Sequence, residues 1–154
     1  MPESAQSEDA QLIALRALSH KERTVSEMLE LLEGRGVERT ERERVVGELI
    51  EIGTLDDRHY AEQFAADKRS LALWGRDRIQ RTLIERGIDS SIATAAVDEP
   101  DAYAQEVERA ETALASRDLD LATERDRRRG LEFLSRRGFE FEAAHDAIRR
   151  AQIG

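Results

Sequence analysis

Three glycines spaced by 51 residues, Gly36, Gly87 and Gly138, constrain this chain more than any other feature. The same neighbours accompany each of them. Four residues before stands Leu32, Leu83 or Leu134, and directly before stands Arg35, Arg86 or Arg137. Directly after comes Val37, Ile88 or Phe139, and ten residues after comes Val46, Val97 or Ile148. A repeat of this length marks a stack of small structural units, not one large core. Each glycine ends an apolar-periodic run, where a left-handed C-terminal cap favours a residue without Cβ. The apolar residue after it folds back on the leucine one turn earlier, and a following helix brings Val46, Val97 or Ile148 to the same core.

Adding the helix that precedes each motif gives three helices per unit. The nine are expected at roughly 10–20, 25–35, 41–52, 57–73, 76–86, 90–98, 101–115, 124–137 and 140–152. Tyr103, Val107, Ala110 and Leu114 form one apolar stripe at helical spacing, and Val45, Val46, Leu49 and Ile50 form another. Thr24–Glu27 and Thr40–Glu43 both have the spacing of a capping box. Pro100 suits the first turn of a helix and sets a boundary at Glu99. No stretch shows sustained period-2 alternation, so the expected class is all-α, an elongated array of three tandem three-helix repeats. The expected divisions are a disordered tail at 1–9 and repeats at 10–54, 55–99 and 100–154.

Composition agrees with thin layers. Hydrophobic residues make up 40% of the chain and aromatics only 5%, so no single thick core is expected. There are no cysteines, which excludes disulfides and thiolate metal sites. The first residues carry no apolar signal core and no apolar run approaches a bilayer span, so a cytoplasmic protein is expected.

The net charge of −9 argues against bulk affinity for nucleic acid. The charge is uneven, however: residues 66–87 and 127–154 are each net +3 within an acidic background. The first basic segment supplies Lys68, Arg69, Arg76, Arg78, Arg81 and Arg86, and the second supplies Arg127 and Arg128 with Arg129, Arg136 and Arg137. Guanidinium groups suit carboxylates and phosphates through paired donors. An ordinary solvated helix face, with local pairs such as Asp77 with Arg81, accounts for them equally well. Trp74 stands between two expected helices, as a wedge or a stacking surface, and Tyr60 with Phe64 reads as core with a hydroxyl able to reach an interface. His20, His59 and His145 are isolated, Gly34-Arg35-Gly36 is an incomplete dinucleotide fingerprint, and no phosphate loop is present. A non-enzyme without cofactor or metal is expected.

The segment Thr54–Ile88 resembles the core signature of the RecX family. The pattern is an acidic turn (Leu55, Asp57), an aromatic helix (Tyr60, Ala61, Phe64), a basic stretch (Arg69), Gly75, then Arg78, Ile79, Leu83, Gly87 and Ile88. Residues 14–57 are similar to the family's first repeat, and the third unit matches only at the level of the repeat. The resemblance implies a curved array of three-helix repeats that binds the RecA recombinase filament as a monomer. It implies inhibition of strand exchange and of DNA-dependent ATP hydrolysis, and with that a place in DNA repair, recombination and the SOS response. Many family members are basic enough to bind DNA alone; a net charge of −9 confines any such contact here to the two basic segments. A helix-turn-helix-like DNA-binding regulator is the alternative reading.

Overall fold

The structure, a computed structural model, describes residues 2–153, with side chains from Asp9 onward. Among these residues there are nine helices and no strand. Unit 1 holds α1 (Pro2–His20), α2 (Val25–Gly34) and α3 (Arg39–Glu51). Unit 2 holds α4 (Asp57–Ser70), α5 (Arg76–Glu85) and α6 (Ser90–Val97). Unit 3 holds α7 (Ala102–Ala115), α8 (Glu124–Arg136) and α9 (Phe141–Ile153). Extensive helix–helix packing stays within units, so the molecule is an elongated, curved row of three small bundles.

The 51-residue motif builds the same cap three times. Val37, Ile88 and Phe139 donate their N–H to the carbonyls of Leu32, Leu83 and Leu134, at 3.0, 3.1 and 3.1 Å. Gly36, Gly87 and Gly138 have φ of 82°, 88° and 91° and donate one turn back. These are Schellman caps, in which the apolar residue after the glycine lies against the last helical turn. The three leucines are fully buried, and Val46, Val97 and Ile148 close the same cores. Each unit has its own apolar cluster.

Several expectations need correction. The segment expected as a tail belongs to α1, which begins at Pro2, a residue whose fixed φ suits the first helical position. Thr40 does not cap α3: Glu38 holds that position and Glu43 pairs with Arg39 at 3.0 Å. Pro100 precedes α7, because Asp101 at the N-cap takes a left-handed φ of 52° that no helix interior admits. Ile50 and Tyr103 are about half exposed, at 47% and 45%, because their stripes are narrower than the spacing suggests. Leu55 packs in the first core, since Gly53 turns the chain back and Leu55 donates to the Leu49 carbonyl at 3.1 Å.

The units join end to end by one rule. At the first junction the N-terminus of α2 meets the C-terminal cap of α5. Thr24 Oγ1 donates to the Arg86 carbonyl (2.9 Å), the Val25 N–H to Asp57 Oδ1 (2.9 Å) and Ser26 Oγ to the Gly87 carbonyl (3.2 Å). At the second junction the N-terminus of α5 meets the cap of α8. The Gly75 N–H donates to the Arg137 carbonyl (2.7 Å), the Arg76 N–H to Glu106 Oε1 (3.0 Å) and the Asp77 N–H to the Gly138 carbonyl (3.1 Å). Helix ends leave donors orphaned at the start and carbonyls at the finish; the second junction satisfies one set with the other, and the first meets the carbonyls with hydroxyls and the N–H with a carboxylate. The positive end of one macrodipole also faces the negative end of the next. The approach is close: a Cβ on Gly75 would sit 2.3 Å from the Gly138 carbonyl oxygen.

Candidate partner-binding groove

The second junction carries a groove of about 700 Å³ lined by Arg78, Arg81, Arg117, Phe133, Ser135, Arg136 and Arg137. Its making follows from the junction. Docking α5 on the α8 cap sets the outward residues of α5, Arg78 and Arg81, beside the last turn of α8. The turn after α7 adds Arg117. No carboxylate lines the groove, and among the described residues none of these five arginines has an acidic partner within 4.0 Å. In a chain of net charge −9, five unpaired guanidiniums side by side form a distinct basic surface.

Aromatic rings hold three of these cations, Arg78, Arg117 and Arg137, in place of counter-charges. The Arg78 guanidinium lies 3.8 Å from the centre of the Trp74 ring and donates to the Arg136 carbonyl at 3.4 Å. Arg117 and Arg137 lie 4.9 and 5.0 Å from the Phe133 ring. Arg137 also donates to the Ala72 carbonyl. The pattern continues along α4. Lys68 lies 4.5 Å from Trp74 and 5.4 Å from Phe64, and Arg86 lies 4.8 Å from Phe64 and donates to the Tyr60 hydroxyl at 2.5 Å. Tyr60 and Phe64 stack at 6.2 Å, and Phe64 meets Trp74 edge-on at 6.1 Å. Stacking on a ring orients a guanidinium at a modest gain of about 0.5–1 kcal/mol per exposed pair and leaves its N–H fork available. The surface suits carboxylates or phosphates.

The structure thus brings together Tyr60, Lys68, Trp74, Arg78, Arg81 and Arg86 of the sequence candidates. It separates the others. Arg69 is largely buried and faces Glu99 at 3.7 Å; burial holds its pKa below the ordinary arginine value, with Glu99 opposing. Arg76 lies 4.0 Å from Glu140, and its backbone N–H is held by Glu106. Arg127 covers the carbonyls of Leu121 and Ala122, both at 3.0 Å, and Arg128 lies 3.8 Å from Glu124. Those two stand at the start of α8, a helix length from Arg136. The expected Asp77–Arg81 pair does not form; Arg81 stays open to the groove. Arg117 and Phe133 were not among the candidates, because only the turn after α7 and the packing of unit 3 bring them to the groove.

A buried ion network backs the junction. Glu99 bonds Arg109, and Glu106 lies 3.6 Å from Arg109 while holding the Arg76 N–H. Glu106 is 3% exposed, and burial raises its pKa above the ordinary carboxylate value against the opposing pull of the Arg76 N–H and Arg109. No group of three or more metal-ligating side chains occurs among the described residues, and no helix among them is long and apolar enough to cross a membrane.

A row of three-helix bundles, strandless among the described residues, defines a helical-repeat protein. Residues 56–97 match the family of the RecX second three-helix domain. The chain is 33% identical over 143 residues to the regulatory protein RecX of Trichlorobacter lovleyi, covering 90% of this chain and 93% of that one. It is 30% identical over 148 residues to the regulatory protein RecX of Mycolicibacterium smegmatis, covering 92% and 78%. The crystal structure of RecX from Lactobacillus salivarius superposes with a TM-score of 0.80 at 21% identity, over 98% of this chain and 99% of that chain. The chain belongs to the RecX family of regulatory proteins.

Proposed function

We propose that this chain is a regulator that binds the RecA recombinase filament and restrains its strand exchange and DNA-dependent ATP hydrolysis, acting as a monomer in the cytoplasm. The observation that carries this reading is the groove at the second junction: five arginines without acidic partners among the described residues, three of them oriented by rings, open to a carboxylate or phosphate surface. A filament offers a repeated array of such surfaces, both acidic protein and DNA phosphate, and an elongated row of units matches a repeating partner. Lys68, Arg86 and Tyr60 extend the contact, and Arg127 and Arg128 lie at the far end of α8.

The alternative, a helix-turn-helix-like regulator of naked DNA, fits the bulk charge less well. Phosphate neutralisation by one basic groove gives weak, steeply salt-dependent binding at most. Co-sedimentation separates the readings. The chain is expected to pellet with RecA filaments on single-stranded DNA and to stay in solution with RecA-free DNA. Pelleting with naked DNA alone would favour the alternative.

A further inference from the structure

Each unit presents the same three-part receptor at one end. It consists of two cap carbonyls, on the arginine and glycine of the 51-residue motif, and one carboxylate from the unit's first helix. In unit 2 these are the Arg86 and Gly87 carbonyls with Asp57; in unit 3 they are the Arg137 and Gly138 carbonyls with Glu106. The occupant is the same each time, the first three residues of a helix. Its N-cap donates to the arginine carbonyl, its next N–H to the carboxylate and its third residue to the glycine carbonyl.

Unit 1 has the same parts with no occupant among the described residues. The Arg35 and Gly36 carbonyls follow an identical cap, and no described donor meets either. A cleft of about 280 Å³ there is lined by Arg35, Gly36 and Val37, by Asp9 of α1, and by Glu38 and Glu41. Asp9, which lines the cleft, has the spacing of the other two acids: it precedes Ile13 and Ala17 by four and eight residues, as Asp57 precedes Ala61 and Ala65 and Glu106 precedes Ala110 and Leu114. Among the described residues the space is open. A Cβ on Gly87 would meet Ser26 at 2.3 Å and one on Gly138 would meet Arg78 at 2.2 Å, whereas one on Gly36 meets no described atom within 4 Å.

We infer that this third receptor docks the N-terminus of a helix in a partner protein, with basic residues flanking a Ser, Thr or Gly N-cap. Three acids, Asp9, Glu38 and Glu41, rim it together with the negative end of α2, so a basic flank is complementary. A second copy of this chain is the poorer fit. Its helix start equivalent to those of α2 and α5 is that of α8, and there the Thr123 hydroxyl donates to the Asp120 carbonyl of its own loop, not outward as Thr24 does. Arg127 closes the same loop.

The partner is taken to be the filament protein, so the inference rests on the reading given under Proposed function. The chain has no cysteine, so single cysteines report cleanly. Glu38→Cys beside the open cap and Ser135→Cys in the arginine groove, each carrying a benzophenone photocrosslinker, are to be irradiated on RecA filaments assembled on single-stranded DNA. Both are expected to link to the recombinase, with the Glu38→Cys adduct mapping to the first two turns of a helix. Gly36→Asn, which tolerates the left-handed cap but fills the receptor, is expected to weaken filament affinity at least tenfold without altering the circular dichroism. A groove adduct without a cap adduct, a cap adduct away from a helix start, or a cap adduct to a second copy of this chain overturns the inference while leaving the filament reading intact. Absence of both adducts overturns the two together.

Discussion

The two junctions follow one rule with different chemistry. At the first, hydroxyls of Thr24 and Ser26 reach the cap carbonyls and the half-buried Asp57 takes the central N–H. At the second, glycine at position 75 lets backbone amides do the same work, and the acid is the buried Glu106, tied into a network with Arg109, Glu99 and Arg69. Their outer surfaces differ in sign. The residues 51 positions before Arg78, Arg81 and Arg136 are Glu27, Glu30 and Glu85. The fold therefore tolerates either charge at this place. Arg78 and Arg137 add hydrogen bonds across the second junction, but the first junction stacks with glutamates at the positions of Arg78, Arg81 and Arg136, so the concentration of arginine there points to a use outside the fold.

Breaking the closest approach should have the largest effect. Gly75→Ala puts a methyl 2.3 Å from the Gly138 carbonyl, backbone against backbone, and is expected to lower unfolding stability by about 3 kcal/mol in urea titration. At the first junction Gly87→Ala meets the Ser26 side chain, so adding Ser26→Gly should recover part of the loss. No such rescue exists for Gly75. Next in size, Glu106→Ala leaves Arg109 and the Arg76 N–H without their buried partner, at a cost of about 3 kcal/mol or slightly less because Glu99 remains. Thr24→Val at the first junction removes a cap and one cross-unit bond, at about 1–2 kcal/mol in the same titration.

The smallest effect is in the pH profile. Burial raises the Glu106 and Asp57 carboxyls, so the folded chain holds protons that the unfolded chain has released. Their contribution to stability is full below the ordinary carboxylate value of about 4 and is lost as pH climbs through the raised folded value. Glu106→Gln should flatten that part of the stability–pH curve measured by thermal melts, and Asp57→Asn should flatten it less, because Asp57 is the more exposed of the two.

The caps and cores were legible in the sequence because a Schellman cap leaves a fixed signature: glycine, an apolar neighbour and a leucine one turn back. The 51-residue spacing carried it through all three units. The junctions were not legible, although their residues stood in the recognised pattern. Thr24 and Gly75 occupy equivalent positions, yet one donates through a hydroxyl and the other through its backbone, so no residue type repeats. Asp57 and Glu106 are not in register with the glycines, which they precede by 30 and 32 residues, since the connections after α4 and α7 differ in length. The groove was half legible. Charge runs located Arg78 and Arg81, but Arg69 and Arg76 face glutamates outside the groove, and only tertiary packing could deliver Arg117 and Phe133. Thr40 misled because its spacing fits a capping box while the helix starts one residue before it, at Arg39.

The claim that the arginine groove is the working surface is tested most directly by inhibition of RecA-driven strand exchange with two triple variants. Arg78→Ala, Arg81→Ala and Arg136→Ala together remove three of the five groove arginines, whereas Arg39→Ala, Arg44→Ala and Arg149→Ala remove three arginines that already have acidic partners. Both lower the net charge equally. The groove variant is expected to lose at least tenfold in inhibitory potency with its helicity retained, and the control to inhibit like the parent chain. Equal inhibition by the two variants would contradict the account.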